Sequence, residues 1–482
     1  CCHVLCSDLD EVMTTSEFKN MVVGSFLFPL TVDQENCIDD ITKYFSCRDD
    51  RRIHIVNGYA GTGKTTLISN IVQCLNSLNV NTVLLAPTGR AAKVLSEHCK
   101  APAYTIHKYI YRTFQDEFGN FNVILSKKQR ANTIFFIDES SMIANGIGSG
   151  ENQYSERDLL EDLLTFIFGK RGCKAIFIGD TAQLPPVGFT DSPALVKDTF
   201  EYYGIEATMS ILTQVVRQVN NSPILSNATF IRSKLSNSDF TQPFFNEIVS
   251  GEFSSLDTYE FEDVLNTCFN NRGSDNESLI ICRSNKQANL YNKAVRERIM
   301  YYESKIVAGE KLVVIKNNYF WSDKDSEESF FIANGEMIEI ERVRKIEEIY
   351  GFTFAEVTIS LPDLPYVPSL EVILMLDTLE IETASLPYEK KRELYNNILE
   401  EHIGEFKNKI ERNVFIRSNP YYNALHVKYG YAMTCHKAQG GQWSNIFIDK
   451  GFIKEENIDE DYFRWLYTAV TRATQKVFLI NF

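Results

Sequence analysis

The stretch HIVNGYAGTGKTTLISNIV, from His54 to Val72, reads as an apolar strand, a glycine-rich turn and the opening of a helix. Gly58-Tyr-Ala-Gly-Thr-Gly63-Lys64-Thr65 matches the phosphate-loop pattern at every position. Glycines let backbone N–H groups converge on phosphate oxygens, and the helix N-terminus adds partial positive charge. Lys64 is expected to neutralise the β/γ phosphates, and the Thr65 hydroxyl to ligate Mg²⁺. The expected nucleotide contacts are Gly58, Gly61, Thr62, Gly63, Lys64, Thr65 and Thr66. A loop of this kind leaves open what the nucleotide is spent on.

Working outward, short β-branched runs alternate with helical patterns: RIHIVNG, NTVLLAPT, NTIFFIDE and KAIFIGD. Each ends in turn residues, as buried parallel strands do, with functional groups at their carboxyl ends. TIFFIDESSM delivers Asp138 and Glu139 to such an end. Asp138 is expected to hold Mg²⁺ and Glu139 to orient or deprotonate a water, which points to hydrolysis. The bland alternative for both is a solvated helix cap. KAIFIGDTAQLPPVG ends in Asp180 and Gln183, and Gln183 is placed to sense a γ-phosphate.

The style returns at SLIICRS, NIFIDKG and KVFLINF, so the chain is read as α/β with two such units in tandem. Gly119-Asn120 lies between two partly alternating arms, a hairpin within about 111–131. From Lys311 to Tyr422 strand-like runs predominate, with a charged helical stretch at 388–412, and this predicts a small β-barrel carrying a helical insertion.

At 482 residues the chain exceeds one hydrophobic core, and its 44% apolar and 23% charged composition is that of soluble globular proteins. No apolar run reaches membrane-spanning length, and eleven scattered cysteines favour reduced thiols in the cytoplasm. Cys1, Cys2, His3 and Cys6 lack the two separated ligand pairs of a structural zinc site and are read as a tail. The net charge of −15 argues against a nucleic-acid partner only superficially. Between Trp321 and Pro420 stand 21 acidic and 11 basic residues, so the rest of the chain carries about −5 and leaves room for a basic groove.

The order of motifs resembles the 5′-to-3′ branch of superfamily 1 helicases, the RecD-like, Dda-like and Pif1-like enzymes. LTVDQENCI resembles that family's adenine-reading motif, with Gln34 on the base edge. LLAPTGRAAKVL and YTIHKYI resemble segments that touch the DNA backbone, and DESSM and GDTAQLPPVG match the branch closely. LTQVVRQ resembles the fourth motif, YAMTCHKAQGGQW the fifth and LYTAVTRA the sixth. The resemblance implies that Arg217 and Arg472 reach the γ-phosphate and that Gly441 borders the nucleotide. Taken singly, either arginine reads as a surface charge.

What the resemblance further implies is an ATP- and Mg²⁺-dependent 5′-to-3′ DNA helicase acting on single-stranded, forked or 5′-tailed DNA. It implies a RecA-like unit at 30–207 after an extension at 1–29, and a second at 208–312 and 421–482. An SH3-like barrel would occupy 313–420. Strand contacts would come from Thr88, Arg90, His107 and Lys108 in the first unit, and from Ser284, Asn285, Thr434 and His436 in the second. Thr88 also reads as a turn residue and His107 as a core histidine. The hairpin would be a duplex-splitting pin stacking Phe118 and Phe121, or a surface hairpin covering the barrel. The rivals are an RNA helicase, a translocase without strong unwinding, and a recruitment module switched by ATP. A monomer is expected, with a single-strand-binding, replication or repair protein as a further partner.

Overall fold

The computed structural model describes residues 14–47, 51–115, 121–127, 129–146, 157–216, 222–248, 251–270, 277–321, 332–364, 367–383, 385–406 and 408–482. The N-terminal strands are β1 (Arg52–Gly58), β2 (Asn81–Ala86), β3 (Ala103–Thr105), β4 (Tyr111–Gln115), β5 (Phe121–Leu125), β6 (Thr133–Ile137), β7 (Lys174–Gly179) and β8 (Glu206–Leu212). Six of them form a parallel sheet in the order β3-β2-β6-β7-β1-β8. After their first residues, Thr133 and Lys174, strands β6 and β7 carry no polar side chain and are buried, because helices cover both faces of the sheet. On one face pack Thr15–Gly24, Val32–Ser46 and Lys64–Ser77, with Ile38, Leu67 and Ile71 against Val56 and Phe136. On the other, Leu160, Leu163 and Ile167 of Leu159–Phe168 pack on Ile55, Phe135 and Phe177.

The remaining strands are β9 (Phe253–Ser255), β10 (Ser278–Cys282), β11 (Lys311–Val314), β12 (Met337–Ile349), β13 (Phe352–Ser360), β14 (Leu370–Met375), β15 (Leu425–Tyr429), β16 (Ala432–Thr434), β17 (Trp443–Asp449) and β18 (Ala473–Ile480). A second parallel sheet runs β16-β10-β17-β18-β9, and β11 to β15 close into a barrel. Barrel residues Leu312, Ile338, Val357 and Leu425 share one continuous core with Ile280, Phe447 and Phe478 of this sheet. The barrel is therefore anchored to the second sheet by packing, not tethered by a linker.

Several expected boundaries move. Strand β8 pairs with β1 from Arg52 to Gly58, so the first sheet continues past the expected break at 207/208 to Leu212. The barrel begins at Lys311 and takes its last strand, β15, from residues expected in the second α/β unit. The insertion is two helices, Tyr388–Glu401 and Lys409–Ser418, where one charged stretch ending at 412 was expected. Asn408 caps the second, accepting from Glu411 N at 2.8 Å, and so restarts the helix after Gly404. Leu394, Ile398 and Ile416 then bury against Phe352 and Phe354 at the barrel end. Strands β4 and β5 form the expected two-stranded hairpin, whose tip lies outside the described residues.

Candidate nucleotide and nucleic-acid site

The loop after β1 turns through two left-handed glycines, Gly61 (φ 75°) and Gly63 (φ 79°), before Lys64 opens the helix. A Cβ on Gly61 would stand 2.5 Å from Leu225, and one on Gly63 2.6 Å from Gln34 Nε2. Glycine is thus required there by both conformation and space. Lys64 Nζ donates to the carbonyls of Gly58 and Tyr59, the latter at 3.0 Å.

Gln34 sits at 5% exposure in the first turn of Val32–Ser46. Its Oε1 accepts from Thr31 N (3.0 Å) and its Nε2 donates to Thr62 O (3.0 Å). The amide is a strut between helix and phosphate loop, where the resemblance had it on a base edge.

Asp138 follows β6, and its Oδ1 accepts from Glu139 N at 2.9 Å. Burial first, then the Glu139 carboxylate, push the Asp138 carboxyl above its ordinary range, while nearby Lys64 opposes them. Glu139 is held in the left-handed region at φ 50°, costly for a residue with a Cβ and of the kind that clusters at working sites. After β7, Asp180 is 1% exposed and its Oδ1 accepts from Ala182 N (2.9 Å). Gln183 is buried, and its Oε1 has no hydrogen-bond partner among the described residues.

Across from these loops lies the helix Glu460–Val470. Its Tyr467 hydroxyl donates to Asp180 Oδ2 (2.6 Å) and accepts from the phosphate-loop amide of Ala60 (2.8 Å). Thr468 Oγ1 accepts from Leu184 N (2.8 Å), and Gln439 Nε2 donates to Leu184 O (2.6 Å). Arg464 donates to Thr181 O at 3.2 Å. Arg472, 4% exposed, donates to Thr468 O and Gly441 O and brings Nη1 to 3.9 Å from Glu139 Oε1. Arg217 lies outside the described residues.

The expected strand contacts gather elsewhere. Thr88 and His107 follow β2 and β3, an edge pair of the first sheet; Ser284 follows β10 and Thr434 ends β16, an edge pair of the second. Thr88, Thr105 and Ser284 each cap the helix that follows, accepting from Ala91, Lys108 and Gln287 N. Asn285 opens the helix that Ser284 caps. A cavity of about 150 Å³ brings Thr88, Arg90 and His436 together with Lys437, Gly441 and the barrel turn Asn334-Gly335. Burial pushes the Lys437 ammonium down to about 8, and lowers His436 too.

Arg90 is committed in this conformation: its guanidinium stacks 4.1 Å from the Trp443 ring, donates to Gln442 O (2.8 Å) and pairs with Glu277. His107 is half-buried and packs beside Tyr111, and desolvation pushes its imidazole down to about 4. Gly441 borders Arg90 and Trp443, since its Cβ would stand 2.4 Å from that ring. Phe118 and the Phe121 side chain lie outside the described residues.

Residues 30–234 match the family model described as an AAA domain, and residues 429–480 match that of the UvrD-like helicase C-terminal domain. The ATP-dependent DNA helicase dda of Enterobacteria phage T4 is 26% identical over 94% of this chain and 99% of its own length. These matches support a superfamily 1B helicase of the Pif1/Dda/RecD-like branch. The ATP-dependent RecD2 DNA helicase of Deinococcus radiodurans is 28% identical over 41% of this chain and 23% of its own length. A solved Pif1 helicase from Bacteroides, in complex with ADP-AlF3 and ssDNA, aligns over 94% of this chain and 93% of its own at TM-score 0.46 and 16% identity.

In this helicase, sequence reasoning missed Tyr467, Thr468, Gln439, Glu277, Trp443 and Lys437. Tyr467 and Thr468 stand inside LYTAVTRA, where two hydroxyls within the buried stretch Trp465–Val470 were a readable signal. Glu277 precedes β10 with no local pattern to mark it. No helix among the described residues is long and apolar enough to cross a membrane, and the described cysteines are free.

Proposed function

We propose that this helicase binds ATP at the Gly58–Thr66 loop, hydrolyses it, and uses the cycle to move 5′-to-3′ along single-stranded DNA and separate forked or 5′-tailed duplexes. One observation carries the reading: Arg472 and Tyr467 of the second unit meet Glu139 and Ala60 of the first directly over the phosphate loop. A site finished by residues from two units works only when they are closed, so hydrolysis and relative movement are linked. Edge residues on both sheets then supply a grip that alternates with closure.

The two sheets are read as RecA-like units, the barrel as SH3-like and the β4–β5 hairpin as the pin. Glu139 activates the water, Gln183 senses the γ-phosphate by donating from its amide nitrogen, and Arg472, with Arg217, stabilises developing charge. The oxygens of Asp138 and Thr65 suit a hard cation such as Mg²⁺, and the raised Asp138 carboxyl is the group a divalent charge would return to its ionised form. When bound, Mg²⁺ neutralises charge on the β/γ phosphates.

The test uses two duplexes, one with a 5′ and one with a 3′ single-stranded tail, each with ATP and Mg²⁺. Strand separation restricted to the 5′-tailed substrate is expected. Opening of the 3′-tailed duplex alone would overturn the polarity, and absence of DNA-stimulated hydrolysis would overturn the motor.

A further inference from the structure

We infer that Tyr467 is a positioning residue whose hydroxyl couples the phosphate loop to the Asp180–Leu184 loop and, through its own helix, to Arg472 just past that helix's C-terminus. The inference rests on the ATP-hydrolysing reading of this site.

The hydroxyl is fully buried, and both its roles are used: it donates to Asp180 Oδ2 at 2.6 Å and accepts from Ala60 N–H at 2.8 Å. Ala60 lies between the glycines that shape the phosphate loop, so its amide direction is part of that shape. Asp180 is tied in turn to Ala182 N, one residue before Gln183. Burial holds the Tyr467 phenol well above its ordinary range, so it remains a neutral hydroxyl able to donate and accept at once.

The neighbours rule out a mere packing contact as the whole role. Thr468, the next residue, accepts from Leu184 N, and Arg472 lies about one helical turn further on. Any shift of Ala60 as the loop fills is therefore transmitted to two positions at once, the Gln183 loop and the arginine. The hydroxyl is the shared atom. A buried hydrogen bond that strengthens toward the transition state changes the rate, whereas one equally present in the ground state changes only binding.

The experiment is Tyr467→Phe in the full chain, which keeps the ring and removes the hydroxyl. DNA-stimulated hydrolysis is expected to lose about tenfold in kcat, with KM for ATP and affinity for single-stranded DNA within about twofold. Amide exchange of the ligand-free phosphate loop around Ala60 is expected to quicken at the same time. An unchanged kcat with unchanged exchange would overturn the inference, as would a raised KM at constant kcat. Thr468→Val should lower kcat less, because it leaves Ala60 held. Wild-type protein without DNA-stimulated hydrolysis would instead sink the motor reading, and the exchange measurement would still judge Tyr467.

Discussion

Arg472 and Glu139 stand 333 residues apart in sequence and meet at 3.9 Å, one from each parallel sheet. Arg472 reaches Glu139 while already donating to Thr468 O, Gly441 O and the Thr471 hydroxyl. Its place is thus fixed by backbone carbonyls of its own unit. The pairing with Glu139 adds a contact between units, and it can lapse when they part without leaving the guanidinium unsatisfied.

Glu139→Gln should therefore cost activity and little stability. The amide cannot take a proton from water, and hydrolysis is expected to fall about 10²–10⁴-fold. Since Arg472 keeps its other partners, the melting temperature should stay within a degree or two of wild type. Phosphate release and a thermal melt decide it: retained turnover would remove Glu139 from the base's role.

Lys64→Ala should separate binding of DNA from use of ATP. The Lys64 ammonium caps the carbonyls of Gly58 and Tyr59 after β1, and β6 and β7 separate that strand from β2, which leads to Thr88. Hydrolysis should drop by about 10²-fold or more, the scale of removing one charge-stabilising donor. Single-stranded DNA affinity, measured by anisotropy, should change little. Turnover that survives would mean the phosphate site lies elsewhere.

The contrast between legible and illegible parts follows from range. Phosphate loop, buried strands and Asp138-Glu139 were readable because each is a local pattern: periodicity, glycine spacing, polar residues at a strand's end. Strand β8 was assigned across a boundary because its pairing with β1 is a long-range fact. The partners of Arg90 were hidden for the same reason, since Glu277 and Trp443 reach it only through docking of the two units. A motif names the residue type a site needs; it does not say which conformation engages that residue.

Gln34 tests that last distinction. Both atoms of its amide are used, on Thr31 N and Thr62 O, so reading a base would cost one of two buried hydrogen bonds. We expect wild-type protein to discriminate weakly between ATP and GTP, and Gln34→Ala to lower kcat/KM for both by a similar factor. A strong ATP preference that disappears in the variant would return Gln34 to the base edge.

Glu336 should make the barrel's seat on the first unit depend on pH. It is 4% exposed at the barrel turn, close against Gly89 at the start of the helix that carries Arg90, and its Oε2 has no partner among the described residues. Burial, then the Asp363 carboxylate, push its carboxyl up to about 8, against the pull of Lys108. Lys93, on the same helix as Gly89, faces Asp363 at 3.7 Å and partly offsets that second charge. A folded-state value above the unfolded one means the native protein binds more protons between them. Stability from this group is thus fully present below the unfolded value of about 4.3 and is lost as pH rises through about 8. Glu336→Gln mimics the protonated form and cannot ionise. The variant should melt near wild type at about pH 5 and progressively above it toward about pH 9. Melting curves across that range check it, and a gap that stays constant or shrinks with pH would show that Glu336 is ionised in the folded protein.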